Sequence, residues 1–294
     1  MTARRAGSPG GPQGSVRVGT SGWQYDGWRG DYYPAGLAAA RRLPFLAARL
    51  DSVELNGTFY SLQLPSSFAR WHEETPAGFT FAVKGSRYIT HLRRLHDVEL
   101  PLATFFASGV LGLAGKLGPF LWQLPASMPF DAGLLRDFLT LLPATSAQAA
   151  RLGERASLPP ERSDHERHGE RSLRHAVEAR HPSFADDRFP DLLREHGVAC
   201  VVSDSPRWPL IDVATSPLAY VRLHGHTELY ASGYASRSLD RWAERCRELA
   251  AAGHDVVVYF DNDSRGRAPH DAEALAARVA DLRPRTVRAR GRPR

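Results

Sequence analysis

Eight short runs of β-branched, apolar and aromatic residues punctuate the chain: Val16–Thr20, Ser52–Asn56, Thr80–Lys84, Phe120–Leu124, Ala176–Arg180, Ala199–Ser203, Ala219–His224 and Val256–Asp261. Between most of them the apolar residues recur with helical spacing. Ala35–Leu50 is rich in Ala, Leu and Arg, and Pro44 divides it into two pieces. Ser66–Glu74 opens on a good N-cap residue, and Leu102–Leu117, Ala132–Leu142, Leu239–Ala252 and Asp271–Leu282 have helix-like patterns. Asp191–His196 is a shorter helix candidate that ends at Gly197, a residue suited to a C-cap.

Strands that alternate with helices make βαβ units and a parallel sheet. Eight units within residues 15–282 fit a closed TIM-type (β/α)8 barrel of the α/β class. An open, doubly wound sheet would carry a glycine-rich phosphate turn after its first strand. Here Gly19-Thr20-Ser21-Gly22 is followed by aromatics, not by a third glycine and a helix. Two connections depart from regularity. Ser205–Pro217, between the sixth and seventh strands, holds three prolines and cannot form a long helix. Thr145–Arg174 reads as a helix extension followed by a mobile loop. Met1–Gly14 and Arg283–Arg294 lack periodicity and are expected to be disordered tails.

The polar residues inside the strands keep step with one another. Side chains of a strand alternate faces, and a parallel barrel turns one set inward. Glu54 and Asn56 share a face, as do Glu178 and Arg180, then Tyr220, Arg222 and His224, then Tyr259 and Asp261. Lys84 and Gln123 end their strands, and Ser203 precedes Asp204. Charges placed this regularly among apolar residues must meet one another or a ligand, because burying them alone is costly. The expected site is therefore the mouth formed by the carboxyl ends of the strands. Trp23, Tyr25, Trp28, Tyr32, Tyr33, Phe59, Tyr60, Trp208, Tyr230 and Tyr234 follow strand ends and suggest an aromatic cleft wall.

Composition narrows the function classes. The formal net charge is +6, but Arg4, Arg5 and the six arginines of residues 283–294 carry more than that, which leaves the folded part near about −2. The basic tail suits weak contact with nucleic acid; the barrel's charge gives no such indication. The two cysteines, Cys200 and Cys246, form no metal or redox spacing. No secretory signal, membrane span or cofactor motif is read, so the expectation is a cytoplasmic protein without a cofactor.

The motif order resembles a known family. Gly19-Thr20-Ser21-Gly22-Trp23-x-Tyr25-x-x-Trp28-x-Gly30 is similar to the opening signature of the YecE-like proteins, domain of unknown function seventy-two. The resemblance continues through Val53-Glu54-Leu55-Asn56-x-Thr58-Phe59-Tyr60, Trp71, Thr75-Pro76, Phe79-x-Phe81-x-Val83-Lys84, Thr90-His91 and Gln123-Leu124-Pro125. It resumes at Val177-Glu178-x-Arg180-His181-x-Ser183-Phe184, Arg222-x-His224-Gly225 and Tyr259-Phe260-x-Asn262. It implies a TIM barrel and no particular activity. Phe184 stands where the family usually has Trp, and Asp271-Ala272 where it has Asn-Ala.

The leading expectation is an enzyme of hydrolase or isomerase type that acts on a small phosphate- or carboxylate-bearing substrate. Glu54, Glu178 and His224 are the candidate catalytic residues. Trp23, Tyr25, Asn56, Tyr60, Lys84, Gln123, Arg180, His181, Arg222, Asp261 and Asn262 are the candidate substrate-binding residues. A glycosidase built on Glu54 and Glu178 is disfavoured by the cations beside them. A divalent-metal barrel, nuclease-like or sugar-isomerase-like, would draw on Glu54, Glu178, His181, Asp204, His224, His226 and Asp261, against the field of Lys84, Arg180 and Arg222. A non-catalytic ligand- or nucleic-acid-binding protein is the remaining class.

Overall fold

A computed structural model describes residues 13–225 and 227–284. The apolar runs become parallel strands: β1 (Val16–Ser21), β2 (Ser52–Leu55), β3 (Thr80–Lys84), β4 (Leu117–Gln123), β5 (His175–Glu178), β6 (Ala199–Asp204), β7 (Leu218–Leu223) and β8 (Asp255–Phe260). They pair in sequence order, and β8 closes onto β1 through Arg17↔Val257 and Gly19↔Tyr259. Closure removes every sheet edge, and the alternation of side chains then sorts each strand into an inner and an outer set.

The outer set packs against helices. Val18, Val53, Leu55, Phe81, Val83, Phe120, Trp122, Val177, Val202, Val221, Val258 and Phe260 belong to the main apolar cluster. Helices α1 (Arg42–Ala47), α2 (Gly57–Tyr60), α3 (Pro65–Glu73), α4 (Glu99–Ala107), α5 (Ala132–Leu141), α6 (Ser146–Gly153), α7 (Arg188–Glu195), α8 (Ser236–Ala251) and α9 (Arg267–Arg278) connect the strands. The inner set forms a separate cluster at the lower half of the barrel, where small Ala82, Ala176 and Ala199 accompany Tyr220 and Tyr259. The two tyrosine rings lie 5.3 Å apart. Gly19 also points inward, and a Cβ there would fall 2.1 Å from the Ser52 carbonyl oxygen.

Several boundaries differ from the sequence pattern. Leu102–Leu117 is not one helix: α4 ends at Ala107, and Gly109 turns the chain at φ 93° into a 3-10 segment over Val110–Lys116. Helix α3 starts at Pro65, whose missing N–H is harmless in a first turn, so Ser66 is not the cap. Pro44 lies inside α1, near its start, rather than between two helices. Thr145 caps a separate helix, α6, through the Gln148 N–H, so this stretch is not an extension of α5. Ser205–Pro217 contains no helix, as its prolines require.

Two residues assigned to the tails are held by the barrel. Gly14 N–H donates to the Ala250 carbonyl at 2.9 Å. Arg283 makes a two-pronged ion pair with Asp51, at 2.6 and 2.7 Å. Residues 1–12 and 285–294 of the expected tails, and His226, lie outside the described residues. No helix of the described residues is long and apolar enough to cross a membrane.

Candidate functional site

The inner residues at the carboxyl ends of the strands do meet, in two levels. The lower level is organised by Arg222 of β7, whose side chain is fully buried. Its Nε and Nη2 donate to the two carboxylate oxygens of Glu54, at 3.1 and 2.8 Å. Nη1 donates to Glu178 at 2.7 Å, and Nη2 also donates to Asp261 and to Ser21 Oγ, both at 3.0 Å. One guanidinium thus bridges acids from β2 and β5 and the residue just after β8.

The acids are equally occupied. Glu54 accepts from the Ser21 hydroxyl at 2.5 Å and from the Tyr220 hydroxyl at 2.6 Å, and it is fully buried. Glu178 accepts from Arg180 Nε and Nη2 at 3.2 and 3.1 Å and from the Ser203 hydroxyl at 3.1 Å. His224 Nε2 is 3.0 Å from Glu178, and its Nδ1 is 2.9 Å from Asp261 but outside hydrogen-bond alignment. Burial opposes ionisation of Glu178, yet Arg180 and Arg222, with the His224 hydrogen bond, hold its carboxyl well below the usual range. Burial likewise opposes ionisation of Asp261, and Arg222, His224 and Lys84 outweigh it.

Glu54, Glu178, His224 and Arg222 therefore do not line the open cavity; they form its floor. Arg222, expected to bind a ligand anion, and Glu54 and Glu178, expected to act as acid or base, are thus placed beneath the cavity and bonded to one another. A general acid needs a raised pKa, and Glu178 has the opposite. Glu54 and Glu178 do face each other, as a glycosidase pair would, but with Arg222 bonded between them.

Above the floor opens a cavity of about 570 Å³, bordered by Tyr25, Asn56, Lys84, Arg180, Asp261 and Asp263 among others. Phe59, Tyr60, Arg87, His91, Gln123 and Tyr230 complete its wall. A smaller recess of about 260 Å³ continues past Tyr25, Asn56 and Tyr60 to Trp23 and Trp71. Of the expected binding residues, Tyr25, Asn56, Tyr60, Lys84, Gln123, Arg180 and Asp261 reach the cavity, and Trp23 reaches the recess.

His181 and Asn262 border neither. His181 Nδ1 accepts from the Ser183 N–H and caps the turn at Pro182–Phe184. Asn262 is buried and donates to the Ser232 carbonyl and to Asp271, which also accepts from the Tyr234 N–H. Asp271 thus pins the loop after β7 to α9, away from the cavity. Phe184 packs on Phe130 and Phe189 in the outer core. Trp28, Tyr32 and Tyr33 pack on one another and, through the two tyrosines, on Phe45, so the aromatic wall is smaller than the sequence suggests.

Five cavity residues are absent from the expected binding set: Phe59 and Tyr230 are expected only as part of an aromatic wall, and Arg87, His91 and Asp263 are not expected there. Arg87 and His91 come from the β3–α4 connection, where Tyr88–Leu92 forms one wide π-type turn, a local irregularity common at functional sites. Asp263 follows β8 by three residues. None has the period-two signal of a strand; Thr90-His91 was visible only as part of the family motif.

Lys84 is the distinctive member. It is buried, and its ammonium lies 4.3 Å above the Phe59 ring. Among the described residues it makes no hydrogen bond and no ion pair. The Thr58 hydroxyl, 2.7 Å from the Lys84 carbonyl oxygen, fixes the end of β3 against α2. Burial, followed by the nearby Arg222 charge, lowers the Lys84 pKa to about 8. Burial and the charges of Lys84, Arg180 and Arg87 lower His91 to about 4, so that ring is neutral at pH 7. Burial and the Asp261 charge raise Asp263. Asn56 Oδ1 is buried without a hydrogen-bond donor among the described residues, while its Nδ2 donates to Ser21. Arg180 is held by Glu178, by the Tyr230 hydroxyl at 3.1 Å, and by stacking 4.2 Å over Trp208. Tyr230 itself takes a left-handed backbone, φ 62°, at the cavity edge. Among the described residues no group of three or more His, Cys, Asp or Glu is arranged to hold a metal ion.

The two levels respond oppositely to removal of a cation. Arg222→Met leaves Glu54, Glu178 and Asp261 buried together, and should cost about 3–5 kcal/mol in urea unfolding. Glu178 and Asp261 bind protons more weakly folded than unfolded, so their contribution is present above about pH 4 and is lost as pH falls. In Arg222→Met the folded pKa values rise, so this contribution should shrink or change sign, and mild acidification should cost the variant less stability than the wild type. Lys84 has a folded pKa below its unfolded value, so its cost is full below about pH 8 and fades as pH rises toward that of a free lysine. Lys84→Met should therefore raise stability at pH 7, by on the order of 2–3 kcal/mol. An unchanged or lowered melting temperature would show that the amine is compensated.

Comparison with known proteins agrees with this architecture. Residues 17–293 match the family described as Protein of unknown function DUF72. The Escherichia coli K12 protein YecE is 30% identical over 129 residues, 44% of each chain, so the match spans less than half of that relative. The Bacillus subtilis protein YunF is 24% identical over 92% of this chain and 99% of its own. A crystal structure of a DUF72 family protein from Thermotoga maritima superposes with a TM-score of 0.73 at 26% identity, covering 90% of this chain and 99% of that one. A second, from Enterococcus faecalis, gives 0.68 at 17% identity, over 92% and 99%. With the closed eight-stranded barrel and the ordered motifs at its mouth, these matches establish that the chain belongs to the DUF72 family.

Proposed function

We propose that the barrel mouth binds a small anionic substrate, phosphate- or carboxylate-bearing, and acts on it as an enzyme of isomerase or hydrolase type. The observation that carries this reading is Lys84: a buried ammonium on the cavity wall with no carboxylate of its own. Arg87, exposed and without an ion-pair partner among the described residues, and Arg180 share that wall. Three cations on one cavity attract an anion, and the neutral His91 and the half-buried Asn56 supply hydrogen-bonding groups that fix its orientation. Asp263, whose proton is held more tightly than usual, is the available acid.

This assigns the chemistry to the cavity wall, and leaves Glu54, Glu178 and Arg222 to position it. The metal-dependent alternative finds less support, because Glu54, Glu178 and Asp261 are all bonded to Arg222. Replacing that cation with a divalent ion would require the floor to be rebuilt.

A thermal-shift panel of small phosphates and carboxylates tests the reading. A ligand present at a hundred times its Kd stabilises the fold by about 2.7 kcal/mol. Arg87→Ala, on an exposed side chain, should leave the unliganded melting temperature unchanged. It should weaken binding by about tenfold, in line with a charged hydrogen bond of ~1.5 kcal/mol. No stabilisation by any anion, or equal stabilisation of the variant, would contradict the proposal.

A further inference from the structure

The sequence uses arginine almost exclusively as its cation: thirty-six arginines against two lysines, Lys84 and Lys116. Both lysines are buried. Lys116 is explained by structure, since its ammonium donates to the carbonyls of His72 and Thr75, the latter at 2.6 Å, and lies 3.1 Å from the Thr75 hydroxyl. Lys84 has no such partners, and it opens onto the cavity. A guanidinium would bind an anion at least as well, and bidentately. An ammonium can do something a guanidinium cannot: release a proton near neutral pH and become a nucleophile.

We infer that Lys84 is a carbonyl-capturing amine, which forms an imine with a small aldehyde or ketone whose anionic group is seated on Arg87 and Arg180. The inference rests on the anion-binding reading and names its substrate class. In the step, the Lys84 Nζ lone pair attacks the carbonyl carbon and the C=O π bond opens to a carbinolamine. One nitrogen proton passes to the carbonyl oxygen in forming the carbinolamine, the hydroxyl leaves as water after taking a proton from an acid, and the resulting iminium returns its remaining N–H proton to that acid's conjugate base. Amine and carbonyl become imine and water, with no oxidant or reductant.

The cavity holds what the step needs. Burial on the cavity wall and the Arg222 charge beneath both favour the neutral amine. Asp263, on the same cavity, has its pKa raised by burial and by the neighbouring Asp261 charge, and is the acid assigned to protonate the departing hydroxyl. The guanidiniums of Arg87 and Arg180 stay charged throughout, so anchoring and nucleophilic roles fall to different cations.

Hydride trapping tests this on the full chain. The protein is incubated separately with pyruvate and with dihydroxyacetone phosphate, each with sodium cyanoborohydride, which reduces an imine to a stable secondary amine. Peptide mapping by mass spectrometry then compares Lys84 with Lys116, its internal control. Lys84 should carry the adduct from at least one probe, at roughly tenfold or more the level at Lys116, because a seated carbonyl reacts at high effective concentration. The pyruvate arm reports a carboxylate anchor and the phosphate arm a phosphate anchor. Lys84→Arg keeps the charge and should lose the adduct, while Arg87→Ala should lower it. No adduct on Lys84 with either probe, or equal labelling of both lysines, overturns the inference. If inorganic phosphate still stabilises the fold in that case, anion binding stands without the covalent step. If it does not, both readings fail.

Discussion

The structure depends on one guanidinium bonded to three carboxylates. Arg222 sits on β7 between Tyr220 and His224 in the inward set, and its donors reach Glu54, Glu178 and Asp261 from across the barrel. Removing these charges from water is costly unless each is paired and hydrogen-bonded, and here each is. The network joins β2, β5, β7 and the end of β8 at one level and closes the barrel beneath the cavity. The Arg222 donors and both Glu54 oxygens are engaged with one another and with their neighbours within the floor.

What remains above the floor is a cavity with an unpaired amine. Lys84 is the buried cavity cation that meets no carboxylate among the described residues, and its position disfavours its own charge. Such a residue weakens the fold. That cost makes sense where a ligand supplies the missing negative charge, or where the neutral amine is itself the useful form. The near-absence of lysine elsewhere sharpens the point, because the other buried lysine is fully accounted for by carbonyl and hydroxyl partners.

Much of the barrel was legible because strand alternation is a physical period. Glu54 with Asn56, Glu178 with Arg180, and Arg222 with His224 fall on the inner face as the pattern requires, and Val53, Val177 and Val221 fall on the outer. Height along the barrel was not legible. Two residues of strand advance a side chain by about 6.6 Å, enough to separate floor from wall, and no residue type marks that boundary. Arg222 and Arg180 look alike in sequence, yet one is sealed and the other borders the cavity. Arg87, His91 and Asp263 lie on connections, where neither a period of two nor one of 3.6 applies. The Leu102–Leu117 pattern misled for a related reason: its apolar spacing is helical on both sides of Gly109, and only the backbone shows the turn there.

The charge state of Lys84 decides the matter most directly. With two lysines in the chain, ¹³Cε-lysine labelling gives two resolved side-chain signals to follow by NMR as pH is varied. The account predicts that the Lys84 signal titrates with a midpoint near about 8 and moves upward when inorganic phosphate is added. A midpoint at the ordinary lysine value of about 10.4, unmoved by phosphate, would mean a solvated or already compensated amine and would contradict it.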